Sequence, residues 1–254
     1  MKWGLVLLAV ILILGFLIIR SDIFTIRSVD IGSEKIVCTN SEKIKNASKL
    51  LGQNLFLIST SKVKNAIKKK FLCIKDVALS RIFPNKISIF VSGREGKVLL
   101  MTLKKEDATV SASLKDIATP SAERLEADEG LEVDEDGVIF AKKAPTFDLP
   151  RIYVHSNLAL GQIIPDTIFN ALKVLDKVRS YGLDVSISEI LDGWFITYEQ
   201  LNTPRIIFKL EENLDAQLAS LQLILNQAKI DENQLEFIDL RFDKPVLRLA
   251  PKKN

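Results

Sequence analysis

Ile74-Lys-Asp-Val-Ala-Leu-Ser-Arg-Ile-Phe-Pro-Asn-Lys-Ile-Ser-Ile-Phe-Val91 is the stretch that decides the fold of the first part of this 254-residue chain. In its first half Val77 and Leu79 fall on one side. In its second half Ile87, Ile89 and Val91 alternate with Ser88 and Ser92, the period of a half-buried strand. Phe83-Pro84-Asn85 breaks the run at a turn, because proline cannot extend a ladder and Asn tolerates unusual backbone angles. Working upstream, a helix is predicted from Thr60 or Ser61, with Val63, Ala66 and Ile67 inward and Lys62, Lys64, Lys68, Lys69 and Lys70 largely outward. An earlier helix starts at Ser41, which resembles an N-cap, carries Ile44, Ala47, Leu50 and Leu51 on one face, and stops at Gly52. Before it, Phe24 to Ile31 reads as a strand ending at Gly32. The order is strand, helix, helix, strand, strand, so residues 21–95 form a small α+β unit.

Still further upstream, Trp3 to Ile19 reads WGLVLLAVILILGFLII without a charge. Thirteen of these positions are Leu, Ile, Val or Phe, which favours the bilayer by roughly 4–8 kcal/mol on an insertion scale. At 1.5 Å per residue the segment rises about 26 Å, slightly less than the hydrocarbon core. Lys2 and Arg20 can snorkel to the two interfaces. A cleaved signal peptide is the competing reading. The apolar stretch exceeds the usual h-region, however, and Ile18-Ile19-Arg20-Ser21-Asp22 offers no small-residue cleavage site. Residues 1–20 are therefore expected to be an amino-terminal tail and transmembrane helix. The charges at its two ends lean weakly to a cytoplasmic amino terminus, which places the bulk outside the cytoplasm. There Cys38 and Cys73 can pair, or remain two buried free thiols.

Downstream of Gly96 the rhythm changes. Lys97 to Thr102 reads as a strand, and residues 104–129 as an exposed loop or small insertion. Asp136-Gly137 sits between Leu131–Val133 and Val138–Phe140 as a hairpin turn. The surrounding acidic run imitates a calcium loop, but position twelve is Lys143, so no cage closes. Leu149–Val154, Val185–Ile190, Trp194–Tyr198, Arg205–Leu210, Leu235–Leu240 and Val246–Leu249 are predicted strands, with a turn at Asp192-Gly193. Two amphipathic helices intervene. One is capped by Asp166 with Ile168, Leu172, Leu175 and Val178 aligned; the other is capped by Asn213 with Leu214, Leu218, Leu221 and Leu225 aligned. Residues 96–250 are thus expected to be a mixed β-domain with two helices on one face of an antiparallel sheet, followed by a 251–254 tail.

Composition excludes most chemistry. The chain is 47% apolar and 26% charged, ordinary for a folded protein. Its single histidine, His155, follows a strand and reads as a surface or loop residue rather than a base. Two cysteines exclude a zinc cluster or multi-disulfide scaffold. No nucleophile elbow, metalloprotease helix, phosphate loop or dinucleotide turn is present. Glu211-Glu212 are adjacent, whereas a glycosidase needs two opposed carboxylates. Trp194 and Phe195 are expected to pack the sheet. Lys and Arg total 35 against 32 Asp and Glu, so bulk charge does not call for nucleic acid. Locally the balance differs: residues 24–95 carry 14 basic against 5 acidic side chains, while Glu123 to Asp136 holds eight acids and one Arg. Solvated surfaces accommodate that asymmetry, as do a mutually attracting contact between the two domains or separate docking faces for different partners.

Gly52-Gln-Asn-Leu-Phe-Leu-Ile58, the lysine helix, and the Ile74–Val91 stretch together resemble a POTRA domain of the FtsQ type. With the anchor before it, the Asp136-Gly137 hairpin and the ending Phe237-Ile-Asp-Leu-Arg-Phe242 after it, the chain resembles the FtsQ/DivIB family of bacterial cell-division proteins. Leu55 and Phe56 are expected in the core. The resemblance implies a single-pass scaffold in the cell (inner) membrane with no enzyme activity, cofactor, small-molecule substrate or nucleic acid. Its implied partners are FtsB-like and FtsL-like division proteins, held by the last strand region. Val246–Leu249 is a natural sheet edge, where strand addition recruits a partner through backbone hydrogen bonds. Arg241 is then expected to pair with a partner carboxylate, Phe242 to act as aromatic anchor, and Val246, Leu247 and Arg248 to form the docking edge. The alternative for these residues is that they merely complete the sheet. Leu79 and Arg81 form a second implied surface, toward upstream division proteins. A different function class, a POTRA-bearing secretion or envelope-assembly factor, lacks the β-barrel signature here.

Deleting residues 1–20 should release the remainder from carbonate-washed membranes. A truncated chain that stayed in the pellet would reveal a second anchor.

Overall fold

The computed structural model describes residues 21–36, 38–103, 129–145, 148–198, 204–230 and 235–249, together with Trp3. The expected membrane helix lies outside the described residues except for Trp3, as do the loop 104–128 and the tail from residue 250. Among the described residues no helix is long and apolar enough to cross a membrane. The chain divides into two units, with the boundary between Glu95 and Gly96.

The first unit runs β1 (Ser28–Glu34), α1 (Ser41–Ser48), α2 (Thr60–Lys70), β2 (Ile74–Ile82) and β3 (Lys86–Gly93). Its three-stranded sheet has the order β1-β3-β2. β3 is parallel to β1, with Val29 opposite Ile87, and antiparallel to β2, with Val77 opposite Val91. Ile44, Leu50, Leu55, Ile67, Val77, Ile87, Ile89 and Val91 form its core. Several local expectations shift. The first strand starts at Ser28 because Asp22–Phe24 is wound into a 3-10 turn, whose first N–H groups Ser21 satisfies by accepting from Ile23. Asn40, not Ser41, caps α1: its Oδ1 accepts from the Lys43 N–H at 2.9 Å. That helix ends at Ser48, with Lys49 in the left-handed region, so Leu51 falls off the buried face and is exposed. Leu55 is fully buried as expected, but its neighbour Phe56 is 41% exposed, a correction to which the last Results section returns.

Cys38 and Cys73 are joined in a disulfide, their Cα atoms 6.4 Å apart. It ties the segment entering α1 to the segment entering β2. Lys68 of α2 and Asp76 of β2 form an ion pair at 3.0 Å, and the lysine's hydrogen bond holds the Asp76 carboxyl below its ordinary value.

The second unit contains β4 (Val98–Thr102), β5 (Gly130–Val133), β6 (Ile139–Lys143), β7 (Arg151–Val154), α3 (Asp166–Ser180), β8 (Ile187–Leu191), β9 (Trp194–Thr197), β10 (Arg205–Lys209), α4 (Leu214–Ile230), β11 (Leu235–Asp239) and β12 (Val246–Leu249). All its strands join one nine-stranded sheet, ordered β12-β11-β10-β9-β8-β7-β4-β5-β6. The sheet is mixed rather than antiparallel, since β4–β7, β7–β8 and β10–β11 are parallel. For two of these pairs the reason lies in the helices: α3 connects β7 to β8 and α4 connects β10 to β11, the crossover that a parallel pair requires.

Both helices pack on the core expected from their periodicity. Ile168, Leu172, Leu175 and Val178 of α3 are buried, Leu221 of α4 is fully buried, and Leu214, Leu218 and Leu225 are half-buried. Capping differs from expectation at α3, where Asp166 lies inside the helix and Pro165 precedes it without a side-chain cap. The two Asp-Gly turns form as the sequence suggests. Asp192 and Gly193 both take positive φ between β8 and β9, the geometry of a tight hairpin. At the other turn buried Asp134 accepts from the N–H groups of Asp136 and Val138.

The disulfide generates a direct expectation. Intact mass under non-reducing conditions should lack the two thiol hydrogens, and replacing both cysteines by Ser should cost about 2–4 kcal/mol of stability in denaturant unfolding. Two titratable free thiols would contradict the pairing.

Candidate docking edge

β12 is the outermost strand at one end of the large sheet, paired with β11 alone among the described residues. Ile238 faces Leu247 and Asp239 faces Val246 across that antiparallel pair. The opposite rim of β12 therefore presents backbone donors and acceptors that no described strand uses. All four of its side chains are exposed, with Val246 at 51%, Leu247 at 45% and Leu249 at 52%. Leu247 and Leu249 share one open face and Val246 and Arg248 the other. A strand with this much open apolar surface is ill suited to end a sheet in water, and well suited to receive another strand.

The turn leading into β12 is held from below. Asp239, 4% exposed, accepts from Arg241 in a fork: Nε at 2.9 Å to Oδ1 and Nη2 at 2.6 Å to Oδ2. The Arg241 N–H adds a third bond to Oδ1 at 3.1 Å. The guanidinium lies over Trp194 of β9 at 4.2 Å and near the Phe242 ring at 5.4 Å. Arg241 thus spends these donors within the chain, as a strut beneath the turn. Phe242, lifted by that strut, is 58% exposed. Arg248 keeps its head in solvent, 69% exposed, with a loose contact to Glu236 at 3.6 Å.

Beside the turn lies a pocket of about 180 Å³ lined by Lys209, Asn213, Gln217, Leu240, Phe242 and Pro245. Gln217 forms its floor by closing the end of β10: its Oε1 accepts from the Lys209 N–H at 2.8 Å and its Nε2 donates to the Lys209 carbonyl at 2.9 Å. Pro245 stands just before β12, where a missing N–H costs the ladder nothing.

In the first unit, β2 is also an outer strand. Its Leu79 is half-buried on the Val77 side. Arg81 is engaged: Nε donates to the Leu55 carbonyl at 2.9 Å and Nη2 to the Ile58 carbonyl at 3.2 Å. His155 is not a bare surface residue, since its Nε2 meets Glu189 Oε1 at 3.0 Å. Glu189 also accepts from the Tyr198 hydroxyl, so this buried carboxylate is satisfied on both oxygens. No group of three or more His, Cys, Asp or Glu side chains among the described residues is placed to hold a metal.

The family model described as POTRA domain, FtsQ-type, matches residues 24–94. The first unit is a POTRA domain of the FtsQ type. The match bears out the FtsQ/DivIB resemblance over this domain and does not reach the β12 edge. A search of curated proteins found no match to the chain. Within the POTRA domain, Arg81 and Leu79 lie on the outer strand that the resemblance singled out, though Arg81 spends its donors on the loop 55–58.

Sequence reasoning missed Asp239 and Trp194 as the supports of Arg241. Arg241 lies in the bend beyond β11, so strand periodicity carries no signal for the pairing, and Trp194 is distant in sequence.

Replacing Asp239 with Ala strands a buried guanidinium. Unfolding of the full chain in denaturant should show a loss of about 3–5 kcal/mol. An unchanged midpoint would show that the fork carries no weight in holding the turn.

Proposed function

We propose that this protein is a single-pass membrane scaffold of the bacterial division machinery, acting by binding and without catalysis. Residues 3–19 anchor it in the cell membrane, the amino terminus is cytoplasmic, and both folded units lie outside the cytoplasm. The FtsQ-type POTRA domain supports a division-related role in protein–protein contacts. A disulfide within that domain supports an oxidising, extracytoplasmic setting. The finer reading, capture of FtsB-like and FtsL-like membrane-anchored proteins, is supported by one observation above all: β12 is an outer strand with an open rim and four exposed side chains.

Mechanistically, an incoming strand would pair with residues 246–249 and extend the sheet by one. Backbone hydrogen bonds supply sequence-tolerant affinity, while Val246, Leu247 and Arg248 select alternate side chains of the partner. Phe242, rigidly presented above Arg241, is the aromatic anchor, and the adjacent pocket accepts a side chain flanking the paired segment. Confinement of all partners to one membrane raises their effective concentration, so that modest individual affinities suffice.

Phe242→Ala and Leu247→Glu should each weaken capture of an FtsB-like partner about tenfold or more while leaving thermal unfolding unchanged. Arg241→Glu is a poor probe, because it would oppose buried Asp239 and disturb the turn itself. Wild-type capture by both variants would remove β12 as the docking edge.

A further inference from the structure

Three aromatic rings meet on the surface of the POTRA domain. Phe24 lies 4.9 Å from Phe56 edge to face, Phe56 lies 5.4 Å from Phe83, and Phe24 lies 6.4 Å from Phe83. Phe56 is 41% and Phe83 58% exposed. Their sequence neighbours Ile23, Leu57 and Ile82 are exposed too, at 61%, 75% and 43%. Rings brought together from three separate segments yet left open to solvent form a patch that water alone does not explain.

The patch is held firmly. Leu55 N–H donates to the Phe24 carbonyl at 2.8 Å and Ile26 N–H to the Gln53 carbonyl at 2.9 Å. Arg81 fastens the Leu55 and Ile58 carbonyls. A guanidinium therefore presents Phe56 and Leu57 outward, which explains why Phe56 does not follow Leu55 into the core.

Its position along the chain is the decisive fact. The charge-free stretch ends at Ile19, four residues before Ile23. Even fully extended, four residues span at most about 14 Å. Ser21 to Phe24 are wound into a 3-10 turn, which shortens the reach. A headgroup layer of about 5–7 Å lies just beyond the hydrocarbon. The surrounding domain carries 14 basic against 5 acidic side chains, the sign that anionic lipid attracts.

We infer that the Phe24–Phe56–Phe83 patch docks into the headgroup region of the bilayer from which the chain emerges, fixing the POTRA domain against the membrane. Phe and Leu side chains on an interfacial surface bury about 5–10 Å into the boundary between headgroups and acyl chains. The inference rests on residues 3–19 being a membrane anchor.

The test uses the full chain in vesicles of mixed zwitterionic and anionic phospholipid, with and without bromine at a shallow acyl position. Phe56→Trp minus the parent isolates residue 56, and the parent minus Trp3→Phe isolates the anchor. Phe83→Trp repeats the measurement at a second ring. Docking predicts that residues 56 and 83 lose emission on bromination and shift to the blue relative to detergent, alongside Trp3. If Trp3 is quenched while residues 56 and 83 are not, the anchor stands and lipid docking fails, leaving the patch to a protein partner. If Trp3 itself escapes quenching, the anchor reading falls and this inference with it.

Discussion

Every backbone donor and acceptor in a sheet must find a partner, and the outer strand is where that obligation is left half met. In this protein the constraint concentrates at β12. Its inner rim satisfies β11, and the chain supplies nothing among the described residues for its outer rim. The fold prepares that strand with some care. A crossover helix delivers β11 parallel to β10, so the final hairpin forms the end of the sheet rather than its middle. A buried Asp–Arg fork stacked on Trp194 then fixes the turn from which β12 departs.

The POTRA domain uses another guanidinium in a related way. Arg81 holds two carbonyls of the loop 55–58, as Arg241 is held by a carboxylate below its turn. In each case a cation that the sequence offers as a partner contact is spent internally, and an exposed aromatic beside it becomes the presented group. Charge rigidifies, and ring and backbone are left exposed. A planar, multi-donor head suits this task better than an ammonium would.

Much of the fold was legible in the sequence. Period-two alternation at Ile87, Ile89 and Val91, the proline turn and the lysine-faced helix gave the βααββ order, and the Asp-Gly dipeptides gave the two hairpins. The sheet's mixed character was harder, because strand direction depends on where a helix returns the chain, which local periodicity does not encode. Caps shifted by one residue for two local reasons: Asn40 and Ser41 compete for one position, and at the third helix Pro165 precedes the first turn so that Asp166 falls inside it. At the site, the edge position and the exposed residues Phe242, Val246, Leu247 and Arg248 could be anticipated. The fate of Arg241 could not be weighed without knowing that β9 places Trp194 beneath it. Phe56 was misjudged because hydrophobicity alone does not tell a core ring from a presented one.

Amide hydrogen exchange of the full chain, with and without the FtsB-like partner, tests the central claim most directly. Strand addition predicts that amides of residues 246–249 exchange rapidly in the free protein and are slowed on binding, with the change concentrated on that strand. Slow exchange there in the free protein, or protection elsewhere with these amides unchanged, would contradict it.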